Sequence, residues 1–180
     1  MPLLIITTSH KPSPRTRSFV KDLANTLPYS IKLNRGKKTL FDLGLEAYRN
    51  NALYVLIVGE RKGNPSLIRI YRLEKTSFYP ELKHVASIKI RGVKLTRENP
   101  ESTRAYNPET IWIDYEQCIS DDCYKLADIF IMIYKDKLIE EKPDITLSLK
   151  EKGNTVFFIP LNRLGKVCGP IIKVSGVKII

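Results

Sequence analysis

The chain has 180 residues, 43% hydrophobic and 27% charged, with a formal net charge of +11. That length suits one domain, or two small halves sharing a core, and excludes a multidomain machine, while the composition excludes a disordered or fibrous chain. The apolar run at residues 3–6 is too short for a signal sequence, and no stretch approaches the ~20 apolar residues of a membrane helix, so a cytoplasmic protein without membrane attachment is expected.

In chain order, residues 3–8 read as a short buried strand. Ser13-Pro14 then supplies an N-cap and a proline at the first helical position for a helix running to about residue 27. Val20, Leu23, Ala24 and Leu27 share one face of it with Phe19 beside them, and Arg17, Lys21 and Asp22 lie around the rest. Residues 30–33 make a brief strand and 34–38 a turn. Thr39 with Asp42 forms a candidate capping box for a helix over 40–50. A strand over 52–61, a turn over 62–65 and a strand over 66–73 read as a hairpin. Residues 85–95 continue in alternating strand style, and the polar stretch 96–108, with two prolines, reads as a mobile linker.

Beyond it the pattern predicts a strand over 110–114 and a helix over 120–134, whose Asp121-Asp122 start suits the helix dipole. Leu126, Ile129, Phe130 and Ile133 give that helix a strongly apolar face. With Ile131 and Tyr134 added, it carries more than one helix is expected to bury, which suggests a protein-facing surface. Strands follow over 145–149, 155–160 and 171–179, the last broken at Gly176. The expected organisation is two mixed α/β halves, about 1–95 and 110–180, joined by a connector over 96–109, without a regular βαβ series. No convincing sequence repeat links the halves.

The charge is one-sided. Residues 1–108 hold 20 basic and 8 acidic side chains, and residues 109–180 hold 10 and 11. Heat adaptation would spread both signs evenly, whereas a first half of about +12 points to a polyanion, with anionic membrane weaker because no basic amphipathic helix is evident. Cys118, Cys123 and Cys168 are odd in number and lack the second pair or nearby histidines of a zinc site, so reduced, mostly buried thiols and no metal are expected.

The cations concentrate in loops. Ser9, His10, Lys11, Ser13, Arg15 and Arg17 join a strand end to a helix start, where free N–H groups favour anions. Arg35, Lys37 and Lys38 repeat that arrangement before the next helix. If the two strands are neighbours, both loops open on one edge. Arg61 and Lys62 in the hairpin turn add a third cationic patch. Serine and threonine caps and exposed lysines are ordinary devices, but their coincidence in the basic half favours phosphate binding. Arg69, Tyr71 and Arg72 follow the turn, and Tyr71 serves equally well as a base-stacking or a packing residue.

Enzymatic alternatives are thinner. Gly36-Lys37-Lys38-Thr39 lacks the earlier glycine and the adjacent hydroxyl of a phosphate loop. Asp42 and Glu60 with Lys62 form the pattern of a metal-dependent nuclease acting on structured RNA or DNA, although Asp42 already serves as a cap. His10 and His84 have no forced carboxylate or cysteine partner.

Residues 5–17 followed by Phe19, Lys21, Asp22 and Leu23 resemble the opening signature of Brix-domain proteins, a ribosome-biogenesis family. The stretches 34–37, 58–65 and Leu164-Gly165-Lys166-Val167-Cys168-Gly169-Pro170 are also similar to that family, so the resemblance spans the chain. Family members commonly carry a basic residue after the closing Gly-Pro, where Ile171 stands here. The resemblance implies one Brix domain over 1–180, built of two pseudo-symmetric α/β halves like the anticodon-binding domain of some class II tRNA synthetases. It also implies a non-catalytic, cofactor-free role in rRNA processing and subunit assembly. The implied partners are ribosomal RNA or its precursor and ribosomal or other assembly proteins, and a chain this short looks like the archaeal branch.

Overall fold

The computed structural model describes residues 3–76 and 78–180. These form nine strands: β1 (Leu4–Thr8), β2 (Ser30–Lys32), β3 (Tyr54–Arg61), β4 (Asn64–Lys75), β5 (Pro80–Lys94), β6 (Ile111–Asp114), β7 (Ile145–Lys152), β8 (Thr155–Leu161) and β9 (Ile171–Ile179). One sheet contains them all, in the order β2-β1-β3-β4-β5-β9-β8-β7-β6. Three helices accompany it, α1 (Pro14–Thr26), α2 (Leu40–Arg49) and α3 (Asp121–Tyr134).

The helix starts follow from capping chemistry. The Ser13 side chain accepts from Thr16 N with Pro14 at the first position, Thr39 and Asp42 cap each other reciprocally, and Ser120 accepts from Cys123 N ahead of Asp121 and Asp122. The hairpin turn between β3 and β4 is tighter than the four residues expected. Lys62 and Gly63 alone make it, at φ of 51° and 76°, the left-handed pair that matches the twist of the flanking strands.

Alternation along β1 sends Leu4 and Ile6 to one face and Ile5 to the other. The first face carries α1 and α3 on a shared core that includes Phe19, Leu23, Leu56, Ile88, Phe130, Phe158 and Val174. The second carries α2, whose Leu43 and Ala47 pack with Ile5, Val55 and Ile57. Gly44 brings α2 close, since a Cβ there would stand 3.3 Å from Pro80 O.

Three expectations are corrected. Ile133 and Tyr134 are buried and Ile131 packs on the same core. Because α3 packs on the sheet face beside the end of α1, with Tyr134 Oη donating to Pro28 O at 3.0 Å, it hides more than one stripe. The connector does not hang free. Thr96 N donates to Asp22 (2.9 Å), Arg97 to Ser18 Oγ (2.8 Å) and Thr103 N to Val167 O (2.8 Å), so it straps both halves. Cys118 and Cys123 are joined in a disulfide instead of standing reduced. The turn after β6 folds back on the first turn of α3, leaving their Cα atoms 5.4 Å apart, within bridging range. Cys168 stays free, and burial pushes its thiol up to about 11.

The strand order carries a pseudo-two-fold axis between β5 and β9, which are antiparallel. It relates β1, α1, β3, β4 and β5 to β6, α3, β7, β8 and β9. β1 pairs parallel with β3, as β6 does with β7, and a parallel bridge from Leu138 to Ile111 stands where β2 pairs with β1. Folding exposes a repeat that the linear reading missed. Ile88-Lys89-Ile90-Arg91-Gly92-Val93-Lys94-Leu95, at the end of β5 and one residue past it, answers Ile172-Lys173-Val174-Ser175-Gly176-Val177-Lys178-Ile179 on β9, with five of eight residues identical. Glu60 with Lys62-Gly63-Asn64 likewise answers Glu151-Lys152-Gly153-Asn154. The break expected at Gly176 is a pair of bulges. The register passes from Lys89↔Gly176 to Ile90↔Val174 to Gly92↔Lys173, skipping Ser175 and then Arg91.

Candidate nucleic-acid interface

β2, β1 and β3 run parallel side by side, so the loops that leave their C-terminal ends open on one edge. Hydrogen bonds stitch the three loops together. Ser13 Oγ donates to Gly63 O at 2.8 Å, tying the first loop to the hairpin turn. Glu60, at the end of β3, accepts from Ser13 N (3.0 Å) and Thr16 Oγ1 (2.5 Å), and these bonds hold its carboxyl below the usual carboxylate range.

Arg35 joins the first and second loops from within. It is buried, and its guanidinium donates to Thr8 O (3.0 Å), to Lys38 O (2.8 Å) and, through Nη2, to His10 Nε2 at 3.1 Å. His10 Nδ1 lies 3.1 Å from Gly36 O. A guanidinium can only donate and a carbonyl can only accept, so this network assigns the proton to Nδ1 and makes Nε2 the acceptor. Burial lowers the Arg35 pKa from its ordinary value. Among the described residues no carboxylate pairs with it.

The remaining candidates divide by exposure. Lys11, Arg17, Lys37, Arg61 and Lys62 are exposed and make no ion pair among the described residues. Lys38 is half-buried, its Nζ donating to Asn34 O at 3.2 Å. Ser9 is half-buried with its N–H on Val58 O, and His10 is exposed beside it. Arg15 is engaged: it pairs with Glu98 at 2.7 Å and donates to Val93 O at 2.9 Å. Arg35 and Arg15 therefore hold the edge together and do not offer a free cation to it.

The carboxylates named for metal chemistry are occupied as caps. Asp42 accepts from Thr39 N (2.9 Å) and Thr39 Oγ1 (3.0 Å), as Glu60 does from the start of α1. The one group of three potential ligands that the described residues bring together is Cys118, Cys123 and Glu151. Both sulfurs there are in the disulfide, and Glu151 accepts from Ile119 N, Ser120 N and Ser120 Oγ. Glu151 thus caps α3 as Glu60 caps α1, the same device in each half. No described helix is long and apolar enough to cross a membrane. Sequence reasoning missed the clamping role of Glu60, whose signal is its matched position with Glu151 ahead of a Lys-Gly-Asn turn.

Fold and site together define a class: an α/β domain of two pseudo-symmetric halves with one cation-rich strand edge. No family model matches the chain. It is 32% identical over 181 residues to a probable Brix domain-containing ribosomal biogenesis protein of Methanococcus maripaludis, covering 98% of both chains. It is 44% identical over 94 residues to the protein of that description from Aeropyrum pernix, a match spanning about half of each (52% and 50%). The crystal structure of a probable ribosomal biogenesis protein from Aeropyrum pernix superposes with a TM-score of 0.83 at 28% identity, covering 98% of this chain and 97% of that one. Mil, an archaeal Imp4-like protein, shares the fold with a TM-score of 0.70 at 19% identity, over 98% and 99% of the two chains. The chain belongs to the Brix domain-containing ribosomal biogenesis proteins.

Proposed function

We propose that this protein binds ribosomal RNA or its precursor in the cytoplasm and assists rRNA processing and subunit assembly without catalysing a reaction. The observation that carries this is the shared edge. Three loops from parallel neighbours present Lys11, Lys37, Arg61 and Lys62 around a buried, carboxylate-free Arg35. Flexible ammonium and guanidinium groups on a rigid edge suit phosphates, which position a nucleic acid without reading its sequence. Ser9, His10 and Ser13 are small polar groups at the same edge, and Arg17 stands one turn into α1. The nearby carboxylates, Asp42 and Glu60, have hydrogen bonds to keep and do not neutralise the exposed cations.

Filter binding of ribosomal RNA fragments across a salt series tests the proposal. Affinity is expected to fall steeply with salt, and Lys11→Ala/Lys37→Ala/Lys62→Ala to lower the log–log slope by about 2 to 3, near 0.9 per phosphate contact. A flat salt dependence would refute it. Labelled RNA should stay intact with magnesium present; magnesium-dependent cleavage lost in Glu60→Gln would restore the nuclease alternative.

A second, compatible reading concerns assembly proteins. Ile119 is 84% exposed next to the edge-on ring pair Tyr115 and Tyr124, flanked by the exposed Glu116 and Asp121. An apolar tip rimmed by acids suits a basic protein segment. Weakened pull-down of ribosomal proteins by Ile119→Asp, with RNA affinity unchanged, would support it.

A further inference from the structure

We propose that the outer face of β5, β9, β8 and β7 binds single-stranded polynucleotide, continuing the path of an RNA held at the loop edge; this rests on the RNA-binding reading above. It is the face that α2 covers in the first half. Among the described residues no helix answers α2 in the second half, so the outward side chains there meet solvent.

Strand alternation identifies them. Ile88, Ile90, Ile172, Val174, Val156, Phe158 and Leu149 point into the core, so Lys89, Lys173, Phe157 and Lys150 point out. The register sets three of these in one row across the sheet: Lys173 pairs with Phe157, and Phe157 with Lys150. Gly92 continues the row on β5. Lys89 and Lys173 are two-fold mates of the repeat, and each stem lies against a glycine of the other strand. Lys89 Cδ is 3.5 Å from where a Cβ would stand at Gly176, and Lys173 Cδ is 4.0 Å from that position at Gly92. The glycines give the apolar stems a bed and leave the ammonium groups to solvent. Arg91, extruded by its bulge, reaches across β9 to Thr155 Oγ1 at 3.0 Å.

Lys89, Arg91, Lys150 and Lys173 are exposed, and none has a carboxylate within ion-pair distance among the described residues. The half-buried Phe157 sits between Lys173 and Lys150. An aromatic at the centre of a cationic sheet face is the arrangement on which unstacked bases rest, whereas paired bases hide their faces. An acidic protein segment would use the cations and ignore the ring. The face is also continuous with the loops. β5 runs parallel to β3, so its Arg91 and Lys94 end lies on the Lys62 edge, and Arg15 binds Val93 O there.

Fluorescence anisotropy on the full chain tests this with three labelled probes: an RNA hairpin, the same hairpin extended by about ten unpaired uridines, and polyglutamate. The extension is expected to tighten binding about tenfold, from stacking and roughly two added phosphate contacts. Lys89→Ala/Lys173→Ala should remove most of that gain and Phe157→Ala a further part, with hairpin affinity kept within about twofold. The lysines are exposed, so their double variant stands even if Phe157→Ala disturbs the fold. If the gain survives the lysine variant while Lys11→Ala/Lys37→Ala/Lys62→Ala still loses the hairpin, this inference fails and the RNA reading stands. If the native chain binds neither RNA, both fail. Polyglutamate binding that needs the lysines and is indifferent to Phe157→Ala would assign the face to an acidic protein segment and overturn the proposal.

Discussion

Glu60→Ala probes the junction on which the candidate edge depends. One carboxylate oxygen accepts from Ser13 N and Thr16 Oγ1, and Ser13 in turn donates to Gly63 O. Removing the carboxylate leaves a backbone N–H and a hydroxyl of the α1 start without their acceptor. Hydrogen bonds to charged groups contribute about 1.5–3 kcal/mol each when buried. Glu60 is partly solvated, so water takes over part of that loss and a total of about 2 kcal/mol is expected. For a chain of this size that lowers Tm by roughly 4–8 °C. Glu60→Gln keeps an acceptor and loses the charge, so about half the effect is expected. Circular dichroism melts measure both. The pH dependence has a definite sign. The folded carboxyl lies below its ordinary 4.5, so the stabilisation is present above that value and disappears as pH falls through the lower folded one. The Tm difference between native and Ala variant should therefore be flat at neutral pH and close in acid. An Ala variant melting within a degree of the native protein at pH 7 would refute the clamping role.

Arg35→Lys should not rescue Arg35→Ala: the three acceptors are met from three separate nitrogens of one planar fork, Nε, Nη1 and Nη2, which a single point-like ammonium cannot span, so both should lose about 2–4 kcal/mol in urea unfolding, and a Lys variant of native stability would contradict the network. Gly169→Ala should destabilise by about 1–3 kcal/mol in the same assay, because its Cβ would stand 2.7 Å from Thr26 Cγ2 and 2.9 Å from Pro160 Cγ. Reducing the Cys118–Cys123 bond, whose sequence separation is 5, should cost about 2 kcal/mol from the freed short loop; calorimetry with and without reductant, scored against Cys118→Ser/Cys123→Ser, measures it. Exchange of amide hydrogens at Thr96 and Thr103 should be slowed by their bonds to Asp22 and Val167, and free-coil rates there would restore a mobile connector.

Local chemistry was legible from the residues alone. Ser13-Pro14, the Thr39 and Asp42 box and the Asp121-Asp122 pair announced three helix starts, because a cap or a dipole partner needs only neighbours in sequence. Alternation in residues 66–73 and 85–95 announced strands, and the crowding of cations into 9–17, 35–38 and 61–62 was visible as three cationic loops. The motifs of the opening and closing segments carried the family.

Pairing between distant segments decided the rest. Whether the loops share an edge depends on β2, β1 and β3 being parallel neighbours. That same geometry turned Arg35, outwardly another phosphate-binding arginine, into a buried cross-link. The eight-residue repeat stayed unread because 84 positions separate its copies, and only the antiparallel contact of β5 with β9 sets Lys89 and Lys173 over each other's glycines. A hydrogen bond, a disulfide or a charged face depends on distance in space. A sequence specifies such distances directly only within a turn or two of the chain, and beyond that the packed sheet sets them.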